Sequence, residues 1–132
     1  METFISTMAY KEDFKTKCKT GWGCGYVHIP SDHPILVKLI LEEYNNWNYL
    51  QPDKCEQEIT LSKWDEKKEY FIIGFDTAHS YNDSTHDEEY VIAETEKIKA
   101  LVDAYTKEDA HIEASDYMAR MFTNIEKYII CE

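Results

Sequence analysis

Two periodicities organise the chain. From Gly21 to Pro30 the sequence reads Gly-Trp-Gly-Cys-Gly-Tyr-Val-His-Ile-Pro, with glycines at 21, 23 and 25 alternating with Trp22, Cys24 and Tyr26. A period of two predicts a strand over 22–29, and the glycines suit close approach of another backbone or a ligand. Glu58–Lys63 alternates apolar and polar residues, and 69–75 (Glu-Tyr-Phe-Ile-Ile-Gly-Phe) is aromatic and β-branched. Separated by the polar turn Asp65–Lys68, these read as an antiparallel hairpin with 69–75 as its central strand. A helical period takes over elsewhere. Ser31-Asp-His-Pro34 is a helix start, and Val37, Ile40, Leu41, Tyr44 and Trp47 share one face, predicting a helix over 33–47. Thr85-His-Asp-Glu88 reads as a capping box opening a helix over 87–105 with Val91, Ile98, Leu101, Val102 and Tyr105 inward. Thr106-Lys-Glu-Asp109 repeats the cap. Ala114, Tyr117, Met118, Met121, Phe122, Ile125 and Ile129 then form the apolar stripe of a helix over 108–129. Near Phe4–Tyr10 strand and helix both fit. The expected architecture is α+β: a small antiparallel sheet covered by three helices in a single globular domain, 1–132.

Composition narrows the function classes. Hydrophobic residues at 43% and aromatics at 14% exclude a disordered chain. No apolar run approaches the ~18 residues of a membrane span, and Met1–Met8 does not read as a secretory signal. The net charge is −12, unevenly spread: 1–51 holds 5 Lys and 6 Asp/Glu, whereas 52–132 holds 9 Lys/Arg and 20 Asp/Glu. Such a surface repels phosphate backbones and anionic lipid, so neither direct duplex DNA binding nor membrane association is expected. A basic protein partner or a small ligand in a local pocket remains open, as does a homo-oligomer. Cys18, Cys24, Cys55 and Cys131 lack zinc-finger and Cys-x-x-Cys spacing and read as reduced thiols. A Cys18–Cys24 bridge is the minor alternative.

Candidate chemistry lies at element ends. The loop after the central strand concentrates Asp76, His79, Asp83, His86 and Asp87. Histidines and carboxylates at one strand end are the donor types of Zn, Mn or Fe sites, so a metal-dependent hydrolase using Asp76, His79 and His86 is the alternative reading. Turn and cap roles explain the same residues without a metal. His28 and His33 flank Pro30 and Asp32 at a strand end beside a helix start, where unpaired N–H groups receive ligands. No nucleophile elbow and no P-loop occurs.

Gly23-Cys-Gly-Tyr-Val-His-Ile-Pro-Ser-Asp-His-Pro34 and Gly74-Phe-Asp-Thr-Ala-His79, with Tyr90, Val91 and Glu94, resemble a family of small tailed-phage proteins. The resemblance covers 21–102. Where that family carries a His-Gly-Gly strand, this chain has Cys55-Glu-Gln-Glu-Ile-Thr-Leu61. The resemblance implies a viral protein made in the cytoplasm of an infected bacterial host, and no established activity or cofactor. Family-typical Tyr26, His28, His33, Asp76 and His79 are then the expected ligand-binding set. The expected role is a non-catalytic, anti-defence inhibitor that either sequesters a nucleotide signal or masks a host defence protein. In the latter case Glu89, Glu96 and Asp103 on the acidic helix would carry the contact.

Overall fold

The computed structural model describes residues 1–14, 20–41 and 56–130. It is α+β. Strands β1 (Phe4–Ala9), β2 (Gly23–Pro30), β3 (Leu61–Trp64) and β4 (Tyr70–Asp76) form one antiparallel sheet in the order β1-β2-β4-β3. A 3-10 turn (Pro34–Leu36) runs into α1 (Val37–Leu41); α2 spans Glu88–Asp103 and α3 spans Lys107–Ile130. The alternating segments became strands as expected, and β4 is central. The β3–β4 turn closes through Asp65, which accepts the Glu69 N–H on its side chain at 2.9 Å. Lys68 there adopts φ 57°. The ambiguous N-terminal segment is β1, because Phe4–Ala9 finds the free side of β2. Of the predicted first helix, 34–41 is helical, and its continuation through Tyr44 to Trp47 lies outside the described residues.

Two compact units partition the chain. Met1–His33 with Asn46–Ala104 makes the first, and Pro34–Asn45 with Tyr105–Glu132 the second. In the first unit the sheet has two unlike faces, fixed by the pairing register. Val27, Ile29, Phe71, Ile73 and Phe75 are buried on one face. The helix α2 packs onto β1 and β2 and buries Val91, Glu94, Thr95, Ile98 and Val102. Gly25 permits this approach, since a Cβ there would overlap Thr95 Oγ1 and stand 2.9 Å from the Phe75 ring. The other face carries Phe4, Ser6 and Met8 of β1, Cys24, Tyr26 and His28 of β2, Tyr70, Ile72, Gly74 and Asp76 of β4, and Leu61 and Lys63 of β3. Phe4 and Met8 are exposed on it.

Helix starts follow cap chemistry, with one correction. The N-cap of α2 is Asp87, whose Oδ1 accepts the Tyr90 N–H at 3.0 Å. Thr85 instead turns back and donates its N–H and its hydroxyl to Asp83 Oδ1, so the expected capping box does not form. A box does open α3: Thr106 Oγ1 accepts from the Asp109 N–H at 3.1 Å, and Asp109 Oδ2 accepts from the Thr106 N–H at 2.8 Å.

In the second unit α3 packs against the 3-10 turn and α1. Lys38 pairs with Glu113, and the Tyr105 hydroxyl donates to the same carboxylate at 2.6 Å. The apolar stripe of α3 departs from expectation. Met118, Met121 and Phe122 are 69%, 47% and 67% exposed. Ala110, Glu113, Ala114 and Tyr117 form the half-buried side instead. Periodicity marks an apolar face but not which neighbour covers it.

Candidate functional site

The site is a trough along β4 on the sheet face away from α2. Its floor is Ile72. Because β2 and β3 flank β4, Tyr26 and His28 line one side, and Leu61 and Lys63 the other. Tyr26, His28, Leu61, Lys63 and Ile72 line an open cavity of about 190 Å³. Gly74 makes room for the Tyr26 ring: a Cβ at Gly74 would stand 2.6 Å from Tyr26 Cδ1. Burial, then a hydrogen bond with the Cys24 thiol and the charge of Asp76, push the Tyr26 phenol up to about 12, so it stays a neutral donor.

His28 is held on one ring face and at its edge. It stacks on Phe4 at 4.2 Å between centroids, meets the edge of Tyr70 at 6.4 Å, and its Nε2 is hydrogen-bonded to Ser6 Oγ at 2.7 Å. Burial lowers its pKa, with Asp65 opposing, so the imidazole is neutral at neutral pH. The trough thus presents neutral aromatic surface with one cation, Lys63, at its margin.

The five residues expected to bind a ligand do not form one cluster. Tyr26, His28 and Asp76 share the open face, but Asp76 pairs with Cys24, four residues along β2 from His28. That spacing is roughly 13 Å. Asp76 is occupied locally, accepting from the Thr60 hydroxyl at 3.2 Å and the Ala78 N–H at 3.0 Å. His79 Nε2 lies 3.6 Å from Asp76 Oδ1, beyond hydrogen bonding, and its ring stacks on Tyr81. His33 is apart from the trough: it sits in the turn after β2 with Asp103 and Asp32 as its charged neighbours, and burial lowers its pKa. Its N–H donates to the Pro30 carbonyl at 2.9 Å.

The alternative metal set is not assembled. His86 turns away to Asp83, accepting the Asp83 N–H on Nδ1 at 3.0 Å, and packs against the edge of Tyr90. Among the described residues no three His, Cys, Asp or Glu side chains are gathered as metal ligands. Turn and cap geometry therefore accounts for the loop. Cys24 is a free, buried thiol beside Tyr10, 3.7 Å from its hydroxyl; Cys18, Cys55 and Cys131 lie outside the described residues. Glu89, Glu96 and Asp103 are exposed along one ridge of α2, and Asp103 pairs with Lys99 at 2.6 Å. No described helix is long and apolar enough to cross a membrane.

Sequence reasoning missed Leu61, Lys63, Ile72 and Gly74, although the period-two pattern already put Leu61 and Lys63 on one face. It also missed a buried polar clamp. Glu94, 1% exposed, accepts the Glu56 N–H at 2.9 Å, and Gln57, fully buried, donates to the Tyr90 hydroxyl at 3.0 Å. Tyr90 and Glu94 therefore tether the segment entering β3, while Val91 fills the core. No protein-family model, curated protein or solved structure matches the chain.

Proposed function

We propose that this chain is a small acidic binding protein that acts without turnover, capturing a nucleotide signal on the open face of its sheet. In the phage setting that the sequence resemblance implies, such capture would silence a host antiviral defence. The observation that carries the reading is the aromatic trough over β4, cleared by Gly74 and walled by Tyr26 and His28. A cavity of about 190 Å³ accepts one planar ring rather than a large ligand. A neutral histidine and a tyrosine ring suit stacking of a base, which is worth ~1–3 kcal/mol per base on such platforms. Lys63 supplies the charge a phosphate needs, and the net charge of −12 favours a ligand of few phosphates over a polynucleotide.

Calorimetric titration with a panel of cyclic and linear mono- and dinucleotides tests this. A saturable one-to-one complex is expected, with the nucleotide recovered intact. Tyr26→Ala should weaken it about tenfold or more, since ~1.4 kcal/mol is a factor of ten, and Lys63→Ala should remove its salt dependence. Failure of every nucleotide to bind, or their conversion to product, would refute the reading. The exposed ridge Glu89, Glu96 and Asp103 supports a second reading, contact with a basic defence protein. Charge reversal at these three positions should then abolish inhibition while leaving nucleotide titrations unchanged.

A further inference from the structure

We infer that β1 is the dimerisation edge of this protein: two copies join their β1 strands antiparallel about a two-fold axis at Ser6, making one continuous eight-stranded sheet. A sheet edge exposes a row of unpaired N–H and C=O groups, and edges that stay single carry charge, proline or a bulge. The two edges here differ in that respect. β3 carries Lys63 and runs into Asp65-Glu-Lys-Lys-Glu69. β1 lies in Thr3–Tyr10, which holds no charged residue and no proline in a chain that is 30% charged.

The outward groups can be named. Tyr10 donates its N–H to the Trp22 carbonyl at 2.9 Å, one step beyond the Ala9–Gly23 pair. Alternation in an antiparallel ladder then turns the N–H and C=O groups of Phe4, Ser6 and Met8 toward β2 and those of Ile5, Thr7 and Ala9 outward. Among the described residues nothing pairs with that outer row.

A second copy fits this row better than a foreign strand. The two-fold must keep the open faces on the same side, so residues of like face must oppose one another. Centring on Ser6 satisfies this and pairs Ile5 with Thr7 and Thr3 with Ala9 through hydrogen bonds. It also sets Phe4 against Met8 of the other copy on the open face. Phe4 and Met8 are the two large exposed apolar side chains of the strand, at 43% and 55%. The same register places Glu2 within one residue of the other copy's Lys11. Electrostatics permits the contact, because residues 1–51 carry a net charge of −1 and the repelling charge, −11, resides in 52–132. A strand selected by that acidic remainder would be basic, and an uncharged edge has nothing to pair with one.

Sedimentation across the micromolar to millimolar range, read with amide hydrogen exchange, decides the matter. The full chain should approach twice its 15.6 kDa mass. The Ile5, Thr7 and Ala9 amides should become protected as concentration rises, whereas Phe4, Ser6 and Met8 are protected throughout. Thr7→Pro removes an outward donor without touching the β2 ladder and should return the mass to 15.6 kDa with an unchanged circular dichroism spectrum. Met8→Lys offers a second route that leaves the backbone intact: two lysines enter the contact, and it should shift dimerisation at least tenfold. A chain that stays monomeric throughout overturns the inference. So does a dimer whose Thr7 amide exchanges freely, or one that survives both substitutions.

Discussion

Replacing Gly74 with alanine probes the one contact on which the trough depends. The added Cβ would stand 2.6 Å from Tyr26 Cδ1, 3.1 Å from Tyr26 Cε1 and 2.8 Å from the Gly25 carbonyl oxygen. Carbon atoms rest at ~3.5–4.0 Å, so the overlap with the ring is about 1 Å. Tyr26 can swing away, but the Gly25 carbonyl belongs to the middle of the sheet and has little room to move. Overpacking of this kind costs ~1–3 kcal/mol. Removing a glycine from a strand interior returns ~0.5–1 kcal/mol. The two ranges together give a destabilisation by Gly74→Ala of about 0–2.5 kcal/mol, centred near 1, seen in urea unfolding as a lower midpoint at unchanged slope. Tyr26→Ala in the same chain removes the ring and leaves only the carbonyl contact. The two costs should then fall short of additive by at least ~0.5 kcal/mol in a double-mutant cycle. A stabilising Gly74→Ala, or strict additivity with Tyr26→Ala, would show that the ring does not lie on Gly74 and would remove the basis of the site.

Thr77 is fully buried, and its hydroxyl donates to the Gly23 carbonyl at 2.7 Å while accepting the Gly23 N–H at 3.1 Å. Thr77→Val should cost ~1–3 kcal/mol in chemical denaturation, because the buried Gly23 N–H loses its acceptor and the Gly23 carbonyl keeps only the Thr77 N–H at 3.2 Å, whereas Thr77→Ser should keep most of the stability; equal losses would refute the assignment. Burial depresses the folded pKa of His28 and His33 below 6.5. For groups shifted down, the stabilisation is complete above 6.5 and is lost as pH falls through that value toward the folded pKa. The unfolding midpoint should accordingly drop on mild acidification in the native chain and drop less in the His28→Gln, His33→Gln double variant. A midpoint that rises over that interval would contradict the burial of both rings.

What was legible in the sequence was local. The period of two in Gly23–Pro30 and the aromatic, β-branched run in Tyr70–Asp76 required strands, because both suit the pleated faces of extended chain. The cap Thr106-x-x-Asp109 and the periodicity after it required a helix there for the same kind of reason. Thr85-x-x-Glu88 shows the limit even of local rules: two adjacent caps competed, and Asp87 won once Thr85 had a partner in Asp83. The pairing of strands was not local. The β3–β4 hairpin, closed by its polar turn, is the exception; β1 has no strong pattern of its own and became a strand by finding the open side of β2, and β2 took the side of β4 that the hairpin leaves free. That order set Leu61 and Lys63 across β4 from Tyr26 and His28, and it separated His33 and Asp76 from them. Nor could periodicity say that the Met118–Phe122 stripe is left exposed, since a helix specifies its apolar face but only its neighbours decide what covers it. Local pattern, β1 apart, already says which segments are strands and helices and which residues share a face. Tertiary structure decided which faces meet, because strand order and helix docking depend on contacts between residues far apart in the chain.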